Sequence, residues 1–101
     1  MSRFFFMWYV YVLYSIPGLK TYVGYTNNVE RRLQEHNVTE SRGFTIRYRP
    51  WTLIRFETYA SKKAAMSREK FLKTGRGREE VKGFVTDFLQ SGAVSAAAEK
   101  D

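Results

Sequence analysis

An α+β fold, a small and mainly antiparallel three-stranded sheet flanked by helices in the order β-β-α-β-α-α, is what the sequence predicts. Three observations carry this reading. Two runs rich in β-branched and aromatic residues, 8–14 and 21–25, flank a Pro-Gly turn. A third such run, WTLIRFETY at 51–59, follows Pro50. The stretches 28–36, 62–73 and 79–89 repeat their apolar residues at helical spacing.

The first run lies within FFFMWYVYVLY, residues 4–14, whose eleven residues fall far short of the roughly 20 that a membrane-spanning helix needs. Its aromatic and β-branched makeup, with no small-x-small cleavage site before SIPG, reads as a buried strand rather than a targeting segment. Side chains alternate along it, so Tyr9 and Tyr11 face one way and Val10 and Val12 the other. SIPGLK turns the chain into a hairpin in which residues near 11 and 22 are expected to lie roughly opposite, about 5 Å apart.

Asn27 is expected to cap a helix over 28–36, with Glu30 completing a capping-box variant, Val29 and Leu33 forming a narrow apolar stripe, and Asn37 ending it. Residues 38–50 read as a loop rich in Gly, Ser and Arg. After the third strand, Ser61 caps a helix over 62–73 on which Ala64, Ala65, Arg68, Phe71 and Leu72 share a face, and Gly75 with Gly77 stops it. The last helix, 79–89, has the clearest amphipathic pattern, with Val81, Phe84, Val85, Phe88 and Leu89 at i, i+3, i+4, i+7 and i+8. Residues 1–90 form one expected domain, and 91–101 an expected disordered tail.

The chain has no cysteine, which excludes a disulfide framework, a thiolate metal site and a cysteine nucleophile and favours a reducing compartment, the cytoplasm by default. A net charge of +7 points to a polyanionic partner. The excess is concentrated. Residues 42–49 carry Arg42, Arg47 and Arg49 with no acid, and residues 68–78 carry Arg68, Lys70, Lys73, Arg76 and Arg78 around the single acid Glu69. A cluster of this kind can be a solvated face. With Tyr48 and Trp51 interleaved, the pattern suits nucleic acid, because phosphates reward cations and exposed bases reward aromatic faces.

Arg32 and His36, the only histidine, are four residues apart and share a helix face at about 6 Å. A histidine at a helix C-terminus can simply compensate the helix dipole, and tyrosines in a strand are commonly core. Arg32, however, has Asn28 and His36 at its i−4 and i+4 positions, so no acid awaits it at that spacing.

Together these residues resemble the GIY-YIG nuclease superfamily. Tyr9-Val10-Tyr11 and Tyr22-Val23-Gly24 stand where that family has two tyrosine-bearing triplets on adjacent strands. Arg32 follows Tyr22 by ten residues and His36 comes four later, which is the family's spacing. Glu69, in Ser67-Arg68-Glu69-Lys70, matches a glutamate on the next helix, and Leu72 to Glu79 looks like the short, stand-alone bacterial branch related to the excinuclease C N-terminal domain. The resemblance spans about residues 8–89. Two positions depart from it: Tyr9 replaces the first glycine, and no asparagine follows Asn37, whereas many family nucleases carry one late in the domain.

The resemblance implies an endonuclease that hydrolyses DNA phosphodiester bonds in repair or processing by a one-metal route. Tyr11, Tyr22, Arg32, His36 and Glu69 would be catalytic, and Glu69 would ligate Mg²⁺ or Mn²⁺. Arg42, Arg47, Arg49, Lys70, Lys73, Arg76 and Arg78 would contact DNA, with no organic cofactor and no membrane involved. Physically, Arg32 offers a planar fork to a phosphate oxygen. One carboxylate, several waters and a substrate phosphate make an ordinary Mg²⁺ shell. A tyrosine base, with a phenol pKa near 10, needs nearby positive charge, for which Arg32, His36 and the metal are candidates. Which of Tyr11, Tyr22 and His36 is the base stays open. Two other classes fit less of the pattern: a nucleic-acid-binding module without turnover, and a domain that docks a protein through its aromatic face.

Overall fold

Strand β1 (Trp8–Ser15) is central, and β2 (Lys20–Thr26) and β3 (Trp51–Tyr59) pair with it on either side, both antiparallel. The structure, a computed structural model, describes residues 7–92; the expectations for residues 4–6 and for the tail 93–101 lie outside the described residues. Helix α1 (Val29–Gln34) runs on into a π turn (Glu35–Thr39), and a 3-10 turn (Phe44–Tyr48) precedes β3. Helices α2 (Lys62–Leu72) and α3 (Gly75–Gln90) follow. Among the described residues no helix is long and apolar enough to cross a membrane.

Alternation along β1 sorts the core into two layers. Val10 and Val12, with Val23 of β2, pack against Ala65, Leu72 and Val81 of α2 and α3. On the opposite face Tyr11 and Leu13 cluster with Trp51 and, partly buried, Tyr22 and Leu33. Because both faces are covered, residues 10–15 are all buried, each large apolar side chain contributing about 1.5–3 kcal/mol.

The hairpin register differs from the expectation by two residues. Tyr11 is paired with Gly24 and Tyr22 with Leu13, so the two tyrosines share a face but are diagonal, not opposite. The turn between Ser15 and Lys20 sets this offset, and its chemistry is not what Pro-Gly suggests. Gly18 is needed for space, since a Cβ there would sit 2.7 Å from Cδ1 of Tyr48. The left-handed conformation falls instead on Leu19, at φ 54°.

Three helix boundaries also move. Asn28, not Asn27, caps α1, its side chain accepting from Arg31 N at 3.0 Å. Asn37 does not end that helix, which continues to Thr39; its amide clasps the start of β3, accepting from Trp51 N at 2.6 Å and donating to Trp51 O at 3.0 Å. Gly75 and Gly77 belong to the first turn of α3, which Thr74 caps by accepting from Gly77 N at 3.2 Å. Gly77 is where α3 folds back on α2, and a Cβ there would meet the Phe71 carbonyl oxygen at 2.0 Å.

The buried stripe of α2 is narrower than its period implied. Ala65 and Leu72 are buried, while Ala64 and Phe71 are exposed. Arg68 leaves the stripe to tie three elements together. It donates to Glu57 of β3 through Nε at 2.9 Å and Nη2 at 3.1 Å, and to Glu80 of α3 at 2.8 Å. Glu57 also accepts from the Tyr59 hydroxyl at 2.8 Å and from Arg55 Nε at 2.9 Å. These donors, Arg68 foremost, hold the Glu57 carboxyl at a pKa of about 2 against an ordinary 4.5. The unfolded chain therefore takes up this proton first as pH falls. Stability from Glu57 is expected to be complete above pH 4.5 and to disappear towards pH 2. Denaturant titrations of wild type and Glu57→Gln should show the mutant losing this slope; parallel pH curves for both would refute it.

Candidate active site

The register makes the site. Opposite Tyr11 stands a residue with no side chain, and the ring lies across it: a Cβ on Gly24 would come within 2.5 Å of the Tyr11 hydroxyl. Crossing β2 in this way, the hydroxyl reaches His36 Nε2 at 3.0 Å, and His36 Nδ1 in turn lies 3.0 Å from Thr45 Oγ1. Tyr11 is 2% exposed and His36 1%. Tyr22 stacks beside them, its ring centroid 4.6 Å from His36 and 6.2 Å from Tyr11. The 3-10 turn that carries Thr45 is anchored by Trp51 Nε1, which donates to the Thr45 carbonyl at 2.7 Å.

Burial decides the charge state of this chain of groups. Desolvation, helped by the Arg32 and Arg49 cations, lowers the His36 pKa to about 4. His36 is thus neutral at pH 7, neither a cationic helix cap nor a source of positive charge for a tyrosine. Burial first, and then Tyr22, raise the Tyr11 phenol well above its ordinary value, outweighing the lowering effect of Arg32. Of the cations expected to favour a phenolate, His36 is neutral, and the lowering effect of Arg32 on Tyr11 is smaller than the raising effect of burial.

The same shift bears on stability. An unfolded chain protonates His36 near 6.5 and the native chain only near 4, so stability is complete above pH 6.5 and falls as pH drops towards 4. The loss is expected to approach about 3 kcal/mol for this fully buried ring. Chemical denaturation of His36→Gln between these pH values should show a flattened slope; an unchanged slope would assign the acid sensitivity elsewhere.

Arg32 has acid partners that its i±4 positions did not reveal. Its Nη1 donates to Glu35 at 2.7 Å and to Glu40 at 3.2 Å, and the guanidinium also faces the Tyr11 hydroxyl. Both carboxylates sit on one nitrogen, which fixes the orientation of the fork and leaves N–H directions for an incoming oxygen. Arg49, expected among the phosphate contacts, is turned inward. Its Nε donates to the His36 carbonyl at 2.6 Å and its Nη2 to the carbonyls of Glu40 at 2.8 Å and Glu35 at 3.4 Å, satisfying the open end of the π turn.

Glu69 lies on α2 and forms an ion pair with Lys73, one helical turn on. Lys73 also lines a groove of about 730 Å³ that includes Tyr22 of the edge strand and Arg78 of α3. Lys70 and Glu69 share a shallow depression with Lys62 and Lys63. Arg42, Arg47 and Arg76 are exposed. The two basic clusters occupy different layers, one around the 3-10 turn and the other on α2 and α3. Among the described residues no group of three or more His, Cys, Asp and Glu is arranged to hold a metal. A lone carboxylate is nonetheless compatible with Mg²⁺, a hard cation that keeps most of its waters.

The structure therefore brings Tyr11, Tyr22, Arg32 and His36 together, places Glu69 on α2 paired with Lys73, and engages Arg49 with backbone carbonyls. Sequence reasoning missed Thr45, which sits in what read as an open loop with no local signal. It also missed Glu35 as the Arg32 partner, although an i, i+3 spacing could have shown it.

The profile of the GIY-YIG catalytic domain matches residues 7–82. A UPF0213 protein of Natronomonas pharaonis is 44% identical over 73 residues, 71% of this chain and 85% of that one. A UPF0213 protein of Staphylococcus haemolyticus is 36% identical over 74 residues, 73% of this chain and 89% of that one. The solution NMR structure of a UPF0213 protein from Bacillus halodurans aligns with a TM-score of 0.46 at 29% identity, covering 76% of this chain and 83% of that one.

Proposed function

The chain belongs to the GIY-YIG family, whose catalytic domain is of nuclease type, and on that premise we propose that it is a divalent-metal-dependent endonuclease hydrolysing DNA phosphodiester bonds in the cytoplasm, in repair or processing. The observation that carries this reading is the buried chain from Tyr11 through His36 to Thr45. It pairs a phenol that holds its proton with an imidazole that has none to spare, which is the resting state of a proton relay.

Arg32 faces the Tyr11 oxygen with N–H groups, so that oxygen is best used as donor to Nε2, and Nδ1–H then donates to Thr45. In the reaction, an attacking water forms the new P–O bond as the P–O bond to the leaving sugar oxygen breaks. The water loses a proton to the Tyr11 oxygen as the Tyr11 proton passes to Nε2, and the departing sugar oxygen takes a proton from solvent. The imidazolium so formed is favoured by the Glu40 and Glu35 carboxylates, which raise the His36 pKa against its burial. Arg32 offers its remaining N–H groups to a non-bridging oxygen of the phosphate as charge builds there. Glu69 would hold Mg²⁺ or Mn²⁺, whose charge would neutralise the scissile phosphate and its leaving oxygen.

A second reading, a binding module without turnover, draws on the two carboxylates that already occupy Arg32 and on the missing late asparagine. Incubating the purified chain with labelled flaps, junctions, single strands and duplexes separates the two. Cleavage is expected with Mg²⁺ or Mn²⁺ and none with chelator, while binding in chelator weakens steeply with salt as counterions are released. Binding without cleavage of any substrate would favour the second reading.

A further inference from the structure

We propose that the groove between the free edge of β2 and helix α3 is a binding site for one unstacked nucleotide of the substrate strand. This rests on the nuclease reading and extends it to a part of the molecule outside the proton relay. Three cations, Lys73, Arg78 and Lys82, line the groove and no acid does; the remaining wall is largely apolar, with Tyr14, Val81 and Val85 among its residues. At about 730 Å³ it is of the size that takes up a whole small molecule.

Leu19 supplies a second, independent observation. It also lines the groove, is 75% exposed, and sits at φ 54°, a conformation that disfavours any residue but Gly or Asn. A turn built for stability alone would put a small or polar residue there. This one holds an exposed leucine in the wall of a basic groove.

Charge and continuity select the occupant. The cations fit phosphates, and the apolar wall fits the face of a base, which a stacked duplex does not present. Tyr22 lies both in the groove and against His36, and Lys73 lies both in the groove and on Glu69. A strand that enters the groove therefore meets Tyr22 and Lys73, each of which touches a group proposed to act in cleavage.

The test is fluorescence anisotropy of the full chain in chelator, using a labelled single strand and an all-abasic strand of equal length and charge. The intact strand is expected to bind roughly fivefold or more tightly than the abasic one. Leu19→Gly, which relieves the backbone and should not lower Tm, should shrink that ratio, whereas Lys82→Gln should weaken both strands alike. Equal affinity for the two strands, an unchanged ratio in Leu19→Gly, or easier displacement by polyglutamate than by unlabelled strand would each overturn the groove. If the wild type cuts DNA yet makes no distinction, only the groove falls; if it binds neither strand nor duplex, the nuclease reading falls with it.

Discussion

Glu69→Gln is expected to abolish cleavage in Mg²⁺ while DNA binding in chelator holds or tightens. Within a surface that attracts phosphate, a carboxylate opposes the ligand, and salt screens that repulsion only in part. The amide is isosteric but neutral and is a poor ligand for a hard cation. It gives up the several kcal/mol of charge stabilisation that a bound metal would supply, a loss of roughly a hundredfold or more in rate. Stability should barely change, since the Glu69–Lys73 pair is an i, i+4 pair whose lysine is 52% exposed, and such pairs are worth about 0.3–0.5 kcal/mol. Freed from Glu69, Lys73 stays beside the groove and can meet a phosphate. Paired cleavage and binding assays decide the matter. If both proteins are equally inert on every substrate, the binding-module reading is right, and a mutant that cuts at the wild-type rate removes Glu69 and the metal assignment from the site.

What could be read from the sequence, and what could not, follows the range of the interactions. Alternation placed Tyr9 and Tyr11 opposite Val10 and Val12, and the period of Val81, Phe84, Val85 and Phe88 gave α3, because both signals are local. Ser61 was legible as a cap for the same reason, its side chain accepting from Ala64 N at 3.1 Å. The Tyr11 position over Gly24 was not legible, because it depends on register, and register here follows from a turn whose geometry is set by Gly18 packing on Tyr48. Gly75 and Gly77 were misread because a glycine pair after a helix is equally a stop and a place for the next helix to approach. Thr74 was the signal that distinguishes the two. Arg49 is an exposed cation by composition and a helix-end donor by tertiary structure, 13 residues from the carbonyl of His36 that it bonds. The His36 charge state was invisible for a related reason: the groups against its ring, Tyr11, Tyr22 and Thr45, come from three separate segments.

The Tyr11–His36 pair is where the second large effect is expected. Tyr11→Phe removes the group that would receive the water's proton, and His36→Gln keeps a hydrogen-bonding partner for Tyr11 but cannot take a proton at neutral pH. Each is expected to slow cleavage by about 10²–10⁴-fold, the usual worth of positioned acid–base groups. Glutamine is the informative replacement. An alanine in place of a ring that is 1% exposed would leave a cavity and two unpartnered hydroxyls, at about 1–3 kcal/mol for each orphaned group, and a folding defect would then mimic a catalytic one. The pH profile separates the roles further. Because His36 blocks the relay only when protonated, and its pKa is held at about 4, the wild-type rate should stay level from pH 7 down to about 5, wherever circular dichroism shows the chain folded. A base that had to exist as phenolate would instead give a rate rising tenfold per pH unit through and beyond neutral pH, since burial holds the Tyr11 phenol above its ordinary value, and an ordinary histidine would give a break near 6.5. Either of those profiles, or a His36→Gln protein that cuts normally, would take the proton route away from Tyr11 and His36 and leave them as a buried polar pair that positions Arg32.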